Sequence, residues 1–246
     1  MKKSIEISIN DKIKSGEKLL AVLIDPDSTD LQKLENICNL CNTNQVDLIL
    51  VGGSLITNGF WDKCIKTIKS LTKIPLVLFP GNILQVHPDA DAILFLSMIS
   101  GRNADLLIGK HVLAAPGLKE SGIEIIPTGY MIIDGGNITS VMYMSNTTPI
   151  PHDKSSIAAC TAMAGEMLGL RVIYMDAGSG AKNPISAEMI KEVRANVKAP
   201  IFIGGGIKTV SEALQAWQAG ADVVVVGNAI ESEPNFIKTL SEARKV

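Results

Sequence analysis

Asp25-Pro26-Asp27 directly follows one apolar run and Gly52-Gly53-Ser54 the next, so carboxylates and a hydroxyl stand at the ends of two successive buried segments. Carboxylates at such an end, rather than on a solvated helix face, suit a cation. Magnesium prefers octahedral oxygen ligation and usually keeps waters and substrate phosphates, so Asp25 with Ser54 would hold it only if an incoming diphosphate completed the shell. The plainer alternative is helix capping, by Asp27 or Ser28 for a helix that starts near Thr29 and by Ser54 for the next helix. Asp25 is harder to explain in that way.

A second chemistry is written further along. Asp176-Ala177-Gly178-Ser179-Gly180 places a carboxylate, a hydroxyl and two glycines in one loop. The carboxylate would accept hydrogen bonds from alcohol hydroxyls while the glycine amides and Ser179 face a phosphate, as a small polyol phosphate requires. Gly204-Gly205-Gly206 follows the run 201–203, and Gly227-Asn228 follows 223–226. Glycine after a buried strand lets backbone N–H groups approach a ligand closely, and loops after the last two strands of an α/β barrel commonly bind phosphate. These glycines could instead serve only tight turns and helix caps. His87, His111 and His152 accompany no Ser or Cys elbow, which speaks against acyl-enzyme chemistry. The triple glycine is not G-x-G-x-x-G, which speaks against a dinucleotide fold.

The elements that must position these loops are short apolar runs at 18–24, 48–51, 76–79, 92–96, 124–126, 172–175, 201–203 and 223–226, with helical patterns between them. Unalternating β-branched runs suit strands covered on both faces. Strands alternating with helices predict a parallel sheet, and this number, without a linker, predicts an α/β fold closed as a (β/α)8 TIM barrel, one domain over 1–246. A doubly wound sheet is the alternative. The stretch 209–219, with Val210, Ala213, Leu214 and Trp217 on one side, predicts an amphipathic helix closed by Gly220. The segment 129–148 departs from the rhythm: Asp134-Gly135-Gly136 predicts a small hairpin or irregular excursion over the mouth, before a helix from Ser155 to about Gly169. Its Met131, Met142 and Met144, with Met98, Tyr130 and Tyr143, could line an apolar groove or be ordinary core.

At 246 residues, 46% hydrophobic and 20% charged, the chain can bury a large core. A net charge of −2 gives neither a nucleic-acid footprint nor a polybasic membrane patch. Cys38 and Cys41 form a C-x-x-C inside an apolar helical pattern with no second Cys/His pair nearby, so buried thiols are favoured over zinc or redox chemistry, and the cytoplasm is the expected compartment. The N-terminus lacks an apolar signal core, and no run approaches the roughly eighteen residues needed to span a bilayer.

Taken together, "LIDPD" at 23–27, "VGGS" at 51–54, "PTGY" at 127–130, "YMDAGSGA" at 174–181, "GGGI" at 204–207 and "VVVGNAI" at 224–230 resemble the geranylgeranylglyceryl phosphate synthase family, in order and over nearly the whole length. The resemblance implies a Mg²⁺-dependent prenyltransferase joining the C3 hydroxyl of sn-glycerol 1-phosphate to geranylgeranyl diphosphate, an ether-lipid step. It implies Asp25 and Ser54 as magnesium positions. Tyr174, Met175, Asp176, Ala177, Gly178, Ser179, Gly180, Gly205, Gly206, Gly227 and Asn228 match the glycerol-phosphate positions. Asp176 stands where the family usually has Glu in "YLEAGSG", and would orient the acceptor hydroxyl and accept its proton. Leu23, where another branch has Lys, places the chain with the longer, second group, which also includes heptaprenylglyceryl phosphate synthases and often forms larger oligomers. A homo-oligomer, dimer or hexamer, and peripheral membrane contact by way of the lipid product are therefore expected. The competing readings are an isomerase or lyase of sugar or indole glycerol phosphates, which needs its own acid/base pair, and a non-catalytic phosphometabolite binder, which needs neither Asp25 with Ser54 nor a groove.

Overall fold

In the computed structural model of the protein, residues 4–244 are described. The apolar runs are the strands β1 Leu19–Ile24, β2 Leu48–Val51, β3 Leu76–Leu78, β4 Ala92–Met98, β5 Glu124–Ile132, β6 Val172–Asp176, β7 Ile201–Gly204 and β8 Val223–Val226. They pair in parallel in sequence order, and β8 pairs with β1, which closes the barrel. The helices are α1 Ile5–Lys14, α2 Leu31–Thr43, α3 Trp61–Leu71, α4 Lys110–Ser121, α5 Ser140–Ser145, α6 Ser155–Met167, α7 Ala187–Asn196, α8 Val210–Ala219, α9 Asn228–Ser232 and α10 Phe236–Ala243. A π-helical turn, Asp105–Gly109, precedes α4.

Strand side chains alternate between two cores, as a pleat of period two requires. Leu19, Ala21, Leu48, Leu50, Val77, Ala92, Leu94, Tyr130, Val172, Tyr174, Phe202, Val223 and Val225 fill the barrel interior. The residues between them, among them Leu20, Val22, Ile49, Leu76, Ile93, Met175 and Val224, pack outward in the layer under the helices. Both faces are thus dry, which is why the runs show no alternation in sequence.

Helix α1 closes the N-terminal mouth, because Ile5 and Ile9 pack with the interior residues. Glu124, the first residue of β5, holds it there by accepting hydrogen bonds from the Ser4 hydroxyl (2.6 Å) and from the backbone N–H groups of Ile5 (2.7 Å) and Glu6 (3.0 Å). Helix α8 carries a capping box between Thr209 and Glu212 and ends at Gly220, and the Trp217 indole N–H donates to the Leu19 carbonyl at 3.1 Å.

Three expectations need correction or placement. Strand β5 does not end at Ile126 but runs through Pro127-Thr128-Gly129 to Ile132 in register with β4, and Pro127 serves the sheet through its carbonyl, which accepts from the Arg171 N–H. The hairpin is not formed. Ile133 makes a single parallel bridge to Ile150, and α5 fills the loop between them. Cys38 and Cys41 lie buried between α2 and the sheet, where burial pushes the Cys38 thiol up to about 12 and keeps it protonated.

Glu124→Ala should lower stability by about 1 kcal/mol, or about 2–4 °C in Tm, by stripping the cap from α1. Burial opposes ionisation of Glu124, but the Ser4 hydroxyl, the Glu6 and Ile5 N–H groups and Arg171 together hold its carboxyl below the usual range. A folded value below the unfolded one contributes its full stability above the unfolded value and loses it as pH falls through the folded one. The difference in Tm between variant and wild type should therefore shrink below about pH 4, as followed by circular dichroism.

Candidate active site

The parity of the strands decides what faces the C-terminal mouth. On β1 the inward positions Leu19 and Ala21 continue through Leu23 to Asp25, whose carboxylate lines a cavity there together with Ser54 at the end of β2. Asp25 Oδ1 accepts the Asp27 N–H at 2.9 Å. Burial raises the Asp25 carboxyl, the Asp27 N–H opposes that, and the Asp27 charge adds to it. Asp27 turns away and clamps the next loop, accepting from the Thr57 N–H and hydroxyl (each 2.8 Å) and the Asn58 N–H (3.1 Å). Neither it nor Ser54 caps a helix: α2 is capped by Asp30, and α3 begins after Phe60.

Gln85, which the sequence reading passed over, ties the β2 and β3 loops together. Buried to 3% exposure, its amide donates to the Gly53 carbonyl at 2.9 Å and accepts the Gly81 N–H at 3.0 Å. It lies in an irregular segment, where no periodicity could mark it.

Across the mouth, Asp176 ends β6 at 7% exposure. Its Oδ2 accepts the Tyr130 hydroxyl at 2.5 Å and its Oδ1 accepts the Gly178 N–H at 2.7 Å. Burial pushes the carboxyl up, and these two donors work against it. Tyr174 stacks on Phe79 with ring centres 4.9 Å apart, and its hydroxyl fits because Gly204 has no side chain: a Cβ there would lie 2.6 Å from it. Gly205, at φ +78°, wedges against the same loop, and a Cβ would lie 2.5 Å from Gly178 N and 2.7 Å from Asp176 Oδ1. Asn228 joins the β8 and β6 loops, its Oδ1 accepting the Ser179 hydroxyl (2.8 Å) and the Gly180 N–H (3.2 Å). The excursion after β5 braces this loop from outside, where the Gly135 carbonyl accepts the Lys182 and Asn183 N–H groups, each at 3.0 Å.

One cavity of ≈ 370 Å³ is lined by Asp25, Ser54, Tyr174, Asp176, Ser179, Gly180, Gly205, Gly206, Gly227 and Asn228. Met175, Ala177 and Gly178 do not line it; Met175 and Ala177 pack in the outer layer, and Gly178 stands behind Asp176. Glu231 on α9 lines it too, a carboxylate the sequence reading missed, and it is raised first by burial and then by the charge of Asp25.

An apolar arm leaves the mouth past Met98 and Tyr130 and continues along Ile93 and Phe95 beside His111, Ala114 and Leu118 of α4. Ile93 and Phe95 are outward positions of β4, so the arm crosses the barrel rim and descends between sheet and helix. Helix α4 leaves that room because, after the π-helical turn, only its Leu118 is buried. His111 meets the Phe95 ring edge-on at 4.5 Å, and burial pushes its pKa down, keeping it neutral. Met144 also lines the arm. Met131 packs under the helices, Met142 packs against the interior core, and Tyr143 is 80% exposed, so these three are not groove residues.

Among the described residues no group of three or more His, Cys, Asp or Glu is placed to hold a metal. Asp25 and Ser54 supply hard oxygen donors in one cavity, with the Gly53 backbone so close to the Asp25 carboxylate that a Cβ would lie 3.1 Å from Oδ2. Such an incomplete oxygen set fits a cation that keeps waters and takes its remaining ligands from phosphate oxygens.

The sequence profile of the PcrB family matches residues 12–244. A geranylgeranylglyceryl phosphate synthase of Chitinophaga pinensis is 52% identical over 243 residues, covering 99% of this chain and 96% of that protein. Another, of Pyrococcus abyssi, is 38% identical over 242 residues, covering 98% and 94%. The crystal structure of (S)-3-O-geranylgeranylglyceryl phosphate synthase from Thermoplasma acidophilum, in complex with substrate sn-glycerol-1-phosphate, superposes with a TM-score of 0.94 at 30% identity and covers all of both chains. The tryptophan synthase alpha chain of Legionella pneumophila, at 15% identity and TM-score 0.62, covers 100% of this chain and 98% of that one and shares the fold alone. With the profile and these relatives extending along nearly its whole length, the chain belongs to the PcrB family, alongside the geranylgeranylglyceryl phosphate synthases.

Proposed function

We infer that the protein is a prenyltransferase that joins the C3 hydroxyl of sn-glycerol 1-phosphate to a long-chain prenyl diphosphate, geranylgeranyl diphosphate by analogy with its relatives. The carrying observation is a single cavity with a glycine-lined cradle and a buried carboxylate at one side, Asp25 with Ser54 at the other, and an apolar arm leading away. The names of the relatives and the sn-glycerol-1-phosphate complex of the Thermoplasma acidophilum enzyme support the same reading.

In this reading, Gly205, Gly206, Gly227 and the Ser179 hydroxyl receive the acceptor phosphate. Asp176 accepts a hydrogen bond from the C3 hydroxyl and turns its oxygen toward the allylic carbon, so that much of the rate comes from positioning. The bond from that carbon to the diphosphate breaks, the ether C–O bond forms, and the hydroxyl proton passes to Asp176. Burial raises its pKa and so makes it a better base, while the hydrogen bonds from Tyr130 and Gly178 favour its charged form and oppose that rise. Asp25 and Ser54 would hold Mg²⁺, which when bound neutralises charge on the departing diphosphate. The arm between β4 and α4 shelters the prenyl chain.

A homo-oligomer, dimer or hexamer, working in the cytoplasm with peripheral membrane contact, fits this role. No helix among the described residues is long and apolar enough to cross a membrane. Exposed Leu84, Ile108 and Tyr143 lie on the segments around the arm, and exposed Met167 and Leu168 end α6.

Incubation with sn-glycerol 1-phosphate, prenyl diphosphates of several lengths and Mg²⁺ should yield a phosphatase-sensitive ether product, and EDTA should abolish it. Absence of product with every donor would overturn the assignment. Asp176→Asn should cost on the order of 10²-fold or more in kcat, and undiminished turnover would remove its role as base. Tyr130→Phe deletes a hydrogen bond that lowers the Asp176 pKa, so the acidic limb of the pH profile of kcat should move to higher pH.

A further inference from the structure

Three carboxylates, Asp25, Asp176 and Glu231, line a cavity that in the reading above takes a phosphate monoester and a diphosphate. The cradle itself offers glycine amides, a hydroxyl and the Asn228 amide, all of them neutral. A phosphate ester carries about −1.5 to −2 charges near pH 7, so the acceptor side lacks a counter-charge. Of the lysines that line the cavity, Lys110 begins α4 beside the arm, whereas Lys208 stands two residues after Gly206 in the cradle loop itself.

Lys208 is held in a particular way. Its backbone N–H donates to Glu212 at 2.7 Å, inside the cap of α8, which pins the residue at the rim. Its ammonium reaches across to the β6 loop and donates to the Lys182 carbonyl at 3.2 Å. Among the described residues it pairs with no carboxylate. An ammonium has three donors, so two remain for a ligand held between the β6 and β7 loops.

We propose that Lys208 is the counter-ion of the acceptor phosphate and the residue that selects phosphorylated glycerol over glycerol itself. The proposal rests on the prenyltransferase reading and adds to it a charge that the glycine cradle lacks. A charge-assisted hydrogen bond of this kind is worth about tenfold in affinity. It lies at the solvent edge, so it should also make acceptor binding sensitive to salt.

The test measures sn-glycerol 1-phosphate binding by calorimetry, and the KM of each substrate, for wild type, Lys208→Arg, Lys208→Gln and Lys208→Met. Both neutral variants should raise the acceptor Kd and KM about tenfold and flatten their salt dependence, with the donor KM unchanged. Lys208→Arg should restore binding. Lys208→Gln keeps a donor for the Lys182 carbonyl but no charge. Wild-type binding in Lys208→Gln, with a defect only in Lys208→Met, would make Lys208 a pin between two loops and overturn the proposal, as would unchanged acceptor binding in both. A wild type that binds no sn-glycerol 1-phosphate would instead overturn the underlying reading.

Discussion

A closed parallel barrel obliges alternate strand residues to point into a shared interior, and the rest of this structure depends on that parity. The inward series on β1 ends at Asp25, that on β2 reaches Ser54, and that on β6 ends at Tyr174 and Asp176. A shift of one residue in β1 or β6 would send the carboxylate under the helices and Ile24 or Met175 toward the mouth. Closure by β1 and β8 brings residues as far apart as Asp25 and Glu231 within electrostatic reach of each other.

Close approach does the rest. The Tyr174 hydroxyl, the Asp176 carboxylate and the Gly178 amide converge at the ends of β6 and β7, where the absence of side chains at Gly204 and Gly205 lets two loops touch. Interiors tolerate little displacement, so atoms this tightly packed are held in place before any ligand arrives. The Gly135 carbonyl braces the β6 loop of the cradle from outside, and Gln85 joins the β2 and β3 loops beside Asp25 and Ser54.

The mouth is electrostatically unusual for an anion site, since it carries carboxylates raised by their own burial. Such groups ionise more readily once a cation or a hydrogen-bond donor joins them. Asp25 and Asp176 thus stand in different surroundings: Asp25 lines the cavity together with Ser54, and Asp176 is enclosed by a phenol and an amide. An isomerase or lyase would need two such groups as an acid/base pair on one substrate, and the apolar arm would have no use.

Much of this was legible in the chain before folding. Unalternating apolar runs, most of them followed by Gly, Asp or Ser, carry both the barrel and the location of its working face, because strands buried on both sides are predominantly apolar until they end. Asp25, Ser54, Asp176 and the glycines of the last two loops stood out for that reason. Local pattern failed where tertiary contact overrides it. Pro127 and Gly129 read as a loop yet lie within β5, since pairing with β4 supports the strand through them. Tyr130 read as groove wall, but only the adjacency of β5 and β6 brings its hydroxyl to Asp176. Gln85, Glu231 and Lys208 carry no periodic signature, and their partners are set by loops that meet in space. The sequence by itself determined which residues end each strand, through hydrophobic patterning. Only the closed barrel decided which of those ends face one another, because that depends on pairing and register between segments far apart in the chain.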